Sequence, residues 1–148
     1  MTYANDMPTL ASASLAADLR IALLRSARRI RAERSSESIS DGQYSVLARL
    51  DCDGVMTPRQ LAEADHVQPP SMTRILNALV AAGLVERTGD PDDRRQVLVA
   101  ITEAGRAEVR ETRRRRDAWL AQRLAVLTPQ ERATLADAAD ILRRVVAK

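Results

Sequence analysis

Hydrophobic positions in this chain recur mostly at helical spacing, with one short interval of strand-like alternation. From residue 12 to about 34, Leu15, Leu19, Ala22, Leu23 and Ile30 fall on one helical face. The polar run SSESIS breaks that pattern. Ser40 and Gln43 then form a capping box, and Ile39 with Tyr44 stand at the positions of a hydrophobic staple. The helix that follows presents Tyr44, Leu47, Ala48 and Leu50, and Asp53-Gly54 stops it. Thr57, Pro58 and Gln60 repeat the start signal, with Met56 and Leu61 as the staple. This second helix is short, ending near Ala64 or Asp65. The turn DHV leads to a third, which Pro69 and Pro70 oblige to start at about Gln68, because proline is tolerated only in a first turn.

In this third helix Met72, Ile75, Leu76, Leu79 and Val80 form the apolar stripe. The opposite face carries Pro70, Arg74, Asn77, Ala78 and Ala81, with Ser71 and Thr73 beside it. The face lacks the Glu and Lys that usually coat an exposed helix. It is small enough to enter a groove about 12 Å wide, and its N-terminal N–H groups and dipole suit phosphate. Gly83 ends the helix. Residues 84–88 and 96–101 are expected as strands joined by GDPDDRR, whose Gly89, Asp90 and Pro91 are turn formers. Helix, turn, helix and hairpin in that order make a winged helix-turn-helix, which places one helix in a DNA groove. The hairpin loop is then a wing: Arg94 and Arg95 reach a minor groove, and Asp92 orients an Arg. On its own the loop reads equally well as a polar turn whose charges cancel.

Thr102 caps a long helix to about Leu127, with Val109, Trp119, Leu120, Leu124 and Leu127 as its apolar residues. Residues 113–116 are all Arg. Four consecutive residues encircle a helix, so one must turn toward the apolar seam, and Arg113 and Arg116 lie closest to it. The plain outcome is a guanidinium that snorkels to water. The sharper one makes Arg113 or Arg116 a ligand-binding residue for an anion. Thr128, Pro129 and Glu131 form another capped start, and Leu135, Ala138, Ala139, Leu142, Val145 and Val146 line the last helix to about Ala147. The expected fold class is mainly α with a small β wing. Residues 1–11 are a loose tail, and 12–148 are one domain. Within it, 40–101 are the winged lobe, and 12–36 and 102–148 are helices that need partners, each other or a second copy.

Composition narrows the function. The chain has 148 residues, 45% of them hydrophobic, and a net charge of +3. Aromatic residues make up only 2%, too few to stack the bases of single-stranded nucleic acid. Every cationic side chain but Lys148 is Arg, which suits phosphate and guanine edges. The Arg-rich first helix reads more simply as a solvated face than as a DNA contact. A single Cys and a single His exclude an intramolecular disulfide and leave no metal site or cofactor to expect. His66 reads as a turn residue rather than a sensor. No Ser-His-Asp set, Cys-His pair or phosphate-cradling loop supports an enzyme. No apolar run approaches the ~20 residues that span a bilayer, and the N-terminus lacks a signal peptide's basic start. A soluble, cytoplasmic protein with no membrane partner is expected.

The stretches PSMTRILNALVAAGLVER (70–87), DPDDRR (90–95) and ITEAGR (101–106), in this order and spacing, resemble the MarR family of bacterial transcriptional regulators. The resemblance spans roughly residues 14–147. It implies a homodimer, joined through helices from both chain ends, that binds double-stranded DNA at a palindromic operator, usually as a repressor. Many members release DNA on binding small aromatic acids or other phenolic compounds; some sense oxidants through a cysteine near the N-terminus. Here the first helix has no cysteine and Cys52 lies at the end of the second, which departs from the thiol-switch pattern. The DNA-binding residues expected here are Gln68, Pro70, Ser71, Thr73, Arg74 and Asn77 in the major groove, with Arg94, Arg95 and Asp92 in the wing. The alternative is a winged-helix protein-interaction module that does not bind an operator.

Overall fold

The structure, a computed structural model, describes residues 10–147, with side chains from residue 13 onward. Residues 1–9 of the expected tail lie outside the described residues, and residues 10 and 11 already belong to a helix. The chain divides into two compact units, one up to Glu33 and one from Arg34 onward. The first holds α1 (Leu10–Arg31). Its Leu15, Leu19, Ile21, Leu23 and Leu24 are all exposed, and Arg29 pairs with Glu33 at 2.7 Å.

The second unit holds α2 (Asp41–Asp53), α3 (Pro58–Ala64), α4 (Pro69–Ala81), β1 (Val85–Gly89), β2 (Val97–Ile101), α5 (Glu103–Ala125) and α6 (Pro129–Val146). Local chemistry starts each helix where the capping residues stand. Ser40, Thr57 and Thr128 each accept from the backbone three residues on, and Gln43, Gln60 and Glu131 reach back to the cap N–H. Each box satisfies two of the N–H groups that a helix start leaves open. Ile39 is buried and Tyr44 packs on the core, as Leu61 and Met56 do one helix later.

The core lies between α2, α3, α4, the hairpin and the first half of α5. Val46, Leu47 and Leu50 of α2, Leu61 of α3, Met72, Leu76 and Leu79 of α4, Val99 of β2 and Val109 of α5 are each no more than 1% exposed. The buried stripe of α2 is centred differently from the expected one: Val46 is wholly buried, while Tyr44 and Ala48 are only partly so. The cause is that α2 is packed from several sides, by α4, α5 and β2. Val80, expected on the core face of α4, is 37% exposed. It lies in the last turn, where Leu84 and Val85 fill the core instead.

The hairpin is antiparallel, with Val85 opposite Ile101 and Arg87 opposite Val99. Each strand begins one residue later than expected. A third element joins it: Met56 pairs with Val99 through both backbone groups, at 3.2 and 2.8 Å. A one-residue bridge has no alternation to betray it.

Two anchors hold the unit's corners. Arg49 of α2 donates to the nearly buried Asp65 carboxylate, the C-cap of α3, at 2.8 Å. After it His66 takes a left-handed conformation, φ 52°, one that His adopts more readily than most residues, and the chain turns sharply into α4. The second anchor is the ITEAGR stretch. Thr102 donates to the Gly83 carbonyl at 2.7 Å and accepts from Gly105 N at 3.1 Å, while its own N–H meets the Leu84 carbonyl at 3.0 Å. Gly83 itself has φ 71°, which glycine adopts without steric cost. Gly105 is buried, and a Cβ there would lie 2.2 Å from the Leu84 oxygen. The segment before α2 is stitched to α5 as well: Ser35 N donates to the buried Thr112 hydroxyl at 3.2 Å, and the Ser35 hydroxyl donates to Glu108.

Gly105→Ala should destabilise the protein by about 2–3 kcal/mol, because the added methyl meets backbone that cannot move aside. Urea unfolding followed by circular dichroism measures this; a midpoint equal to that of the parent would show the α5 corner to be loosely packed.

Candidate nucleic-acid interface

α4 is built to show one side. With Met72, Leu76 and Leu79 inside, Gln68, Pro70, Thr73, Arg74 and Asn77 are exposed, and Ser71 is partly so. Ala78 and Ala81 continue the face without bulk. Gln68 caps the helix without a side-chain hydrogen bond, and Pro69 and Pro70 occupy the first two positions. Proline has no N–H, and Met72 N already bonds to Gln68 O at 3.0 Å. The expected cluster of open N–H groups therefore shrinks to those of Gln68 and Ser71. Any phosphate contact at this end depends on two amides and on side chains.

The exposed side chains are not equally available. Thr73 donates its hydroxyl proton to the Pro69 carbonyl at 3.0 Å, so it meets a groove with oxygen lone pairs and a methyl group. Arg74 makes no ion pair among the described residues. Asn77 is engaged: Arg87 Nη2 donates to its Oδ1 at 2.8 Å. Arg87 was given no role from sequence, although strand alternation places it on the same side of β1 as the buried Val85.

Between the strands, residues 91–96 are exposed. Asp90 Oδ1 accepts from Asp92 N at 2.9 Å and Asp93 Oδ1 from Arg95 N at 3.0 Å. Such aspartate turns shape a loop locally. The carboxylates that fold the wing are thus Asp90 and Asp93. Asp92 makes no ion pair with Arg94 or Arg95 among the described residues, and both arginines are exposed.

The arginines of α5 contrast with these. Arg113 bonds to Asp51 of α2 at 3.1 Å. Arg114 and Arg115 both bond to Glu111 at 2.8 Å, and these bonds hold its carboxyl well below the usual carboxylate range, at about 2. Arg116 lies over the Tyr44 ring, 4.2 Å from its centre, a favourable cation–π contact. Arg113 and Arg116, the two candidates for ligand binding, thus each have a partner within the chain. A groove of about 780 Å³ lies between α3 and α4, lined by Pro58, Ala62, His66, Pro69, Met72 and Thr73 among others. Among the described residues there is no cluster of metal-ligating side chains, and no helix is long and apolar enough to cross a membrane.

Known proteins share this arrangement. The model of the MarR family matches residues 39–97, from the staple before α2 to the start of β2. An HTH-type transcriptional regulator of Mycobacterium tuberculosis is 44% identical over 134 residues, covering 90% of this chain and 94% of that protein. The multiple antibiotic resistance protein MarR of Salmonella typhimurium is 37% identical over 98 residues, covering 66% of this chain and 68% of that one. Among solved structures, a mutant MarR from Escherichia coli complexed with operator DNA superposes with a TM-score of 0.65 at 30% identity, covering 90% of this chain and 94% of the other. A helix-turn-helix with a two-stranded wing, matched at this identity over most of both chains, makes this protein a DNA-binding transcriptional regulator, not an enzyme, and it belongs to the MarR family.

Proposed function

We propose that the protein binds a palindromic operator as a homodimer and represses the genes beside it. The observation that carries this is the exposed face of α4: Thr73, Arg74 and Asn77 stand out from a helix whose other side is locked in the core. The face suits a major groove, because it is narrow, polar and ends in small residues. Gln68, Pro70 and Ser71 lie at its leading end. Arg94 and Arg95 then reach along the duplex into the adjoining minor groove, where negative potential is concentrated. Operator DNA bound to the E. coli relative supports the same use here. A protein-interaction module is disfavoured, because the face offers no large apolar anchor of the kind that dominates protein interfaces.

The homodimer is supported by what a single chain leaves uncovered. On α1, Leu15 and Leu24 are 58% and 59% exposed; on α6, Val145 and Val146 are 72% and 76% exposed. Two copies related by a twofold axis would present two α4 helices to half-sites about one helical turn apart. The family resemblance extends the proposal to release by a small aromatic acid. Arg113 or Arg116 would have to leave Asp51 or Tyr44 to hold its carboxylate. Titrating the operator complex with a panel of aromatic acids tests that part.

A gel shift with the DNA upstream of the protein's own gene tests the whole reading, and a mass of two chains in solution is expected. Arg74→Ala should weaken the specific complex by about 1–3 kcal/mol and relax one base position. If the ratio of operator to random-duplex affinity is unchanged, Arg74 does not read a base. Arg94→Ala should flatten the plot of log affinity against log salt by roughly 0.9 per subunit, one phosphate contact. An unaltered slope would place Arg94 off the DNA.

A further inference from the structure

We infer that Arg87 grips a backbone phosphate of the duplex at the flank of α4, a DNA contact that the helix and the wing do not themselves supply. The inference rests on the operator-binding reading and deepens it. Arg87 stands on β1 opposite Val99 and shares the sheet side of Val85, which is 2% exposed. Residues two apart on a strand point the same way. Arg87 is therefore aimed back at α4, while Glu86 and Thr88 point to the other side. Its Nη2 donates to Asn77 Oδ1 at 2.8 Å, and both residues are exposed. Among the described residues no carboxylate forms an ion pair with Arg87.

An α-helix with its side chains is about 10–12 Å across, and the major groove is about 12 Å wide. A helix lying in that groove fills it from wall to wall. Its outermost ridge meets base edges, and whatever stands beside it meets the sugar–phosphate walls. Arg87 belongs to the second class, because it comes from a neighbouring strand and reaches the outer face of α4 from the side. A guanidinium carries five N–H donors. One goes to Asn77, and the others suffice for a two-pronged bond to phosphate. With no carboxylate to leave, the guanidinium has only water to shed. Asn77 keeps its second oxygen lone pair and its amide hydrogens, so holding Arg87 does not withdraw it from the bases. Phosphate contacts set register and base contacts read sequence. The bond between Arg87 and Asn77 ties one of each together.

The test measures binding of the full chain to operator and to random duplex over a salt series. Arg87→Ala should make the plot of log affinity against log salt shallower by roughly 0.9 per subunit, and should weaken operator and random duplex by the same factor. Arg87→Lys, which keeps the charge, should keep the slope. A variant that folds poorly lowers the active fraction but leaves the slope unchanged, so stability does not confound the result. The contact is then located on operators in which single phosphates are replaced by neutral methylphosphonates. One replacement in each half-site should weaken wild type and have no effect on Arg87→Ala. The proposal is overturned if the Arg87→Ala slope equals that of wild type, or if every phosphate that matters to wild type matters equally to the variant. It is equally overturned if Arg87→Lys loses the slope as Arg87→Ala does, which would make the role one of shape rather than charge. A wild-type chain that binds operator no better than random duplex would overturn the operator reading itself; an operator complex indifferent to Arg87 overturns this proposal alone.

Discussion

The rotation of α4 about its own axis is the constraint on which the interface depends. Met72, Leu76 and Leu79 are each at most 1% exposed, and burial of such side chains contributes about 1.5–3 kcal/mol apiece. Turning the helix by one residue would expose part of that stripe and drive Arg74 or Asn77 toward an apolar core, where an unpaired charge or amide is costly. The outward face is fixed because the inward one cannot be given up. Leu47 and Leu50 of α2 and Leu61 of α3 close around the same stripe, so the two helices that precede α4 set its angle as well as its rotation.

A second constraint places the hairpin relative to that helix. The chain leaves α4 through Gly83, and the carbonyls of Gly83 and Leu84 are both taken by Thr102. Gly105 allows α5 to come against the same backbone. β1 therefore starts at a set distance and direction from the end of α4. That is how Arg87, three residues beyond Leu84, comes to hydrogen-bond a residue on the outer face of the helix. One corner positions both the wing and the strand arginine.

The charges show why a count of arginines says little about where DNA binds. The four at 113–116 form the densest run in the chain, yet Asp51, Glu111 and Tyr44 engage them within the protein. Arg74 in α4, with Arg94 and Arg95 in the wing, carries fewer charges but no ion-pair partners among the described residues. An arginine already bonded to a carboxylate would have to break that bond to take a phosphate, whereas an unpaired one has only water to shed. The proposed interface thus draws on arginines without ion pairs among the described residues, not on the densest run.

The features that depend on neighbours a few residues apart were legible in the sequence. The capping boxes at Ser40, Thr57 and Thr128 join residues three apart, the prolines at 69 and 70 act on their own turn, and the stripe of α4 repeats within thirteen residues. These local rules gave the order of elements, and together with motif spacing they pointed to the family. The exceptions share one cause. The deep burial of Val46, the bridge from Met56 to Val99, the partners of Arg113 and Arg116, and the bond from Arg87 to Asn77 all join segments distant in sequence. No periodicity or cap encodes such pairs, because each exists only once the core has brought its two segments together. The chain alone therefore determined which face of α4 turns outward and with what residues; the packed structure decided which of those residues already have partners within the protein.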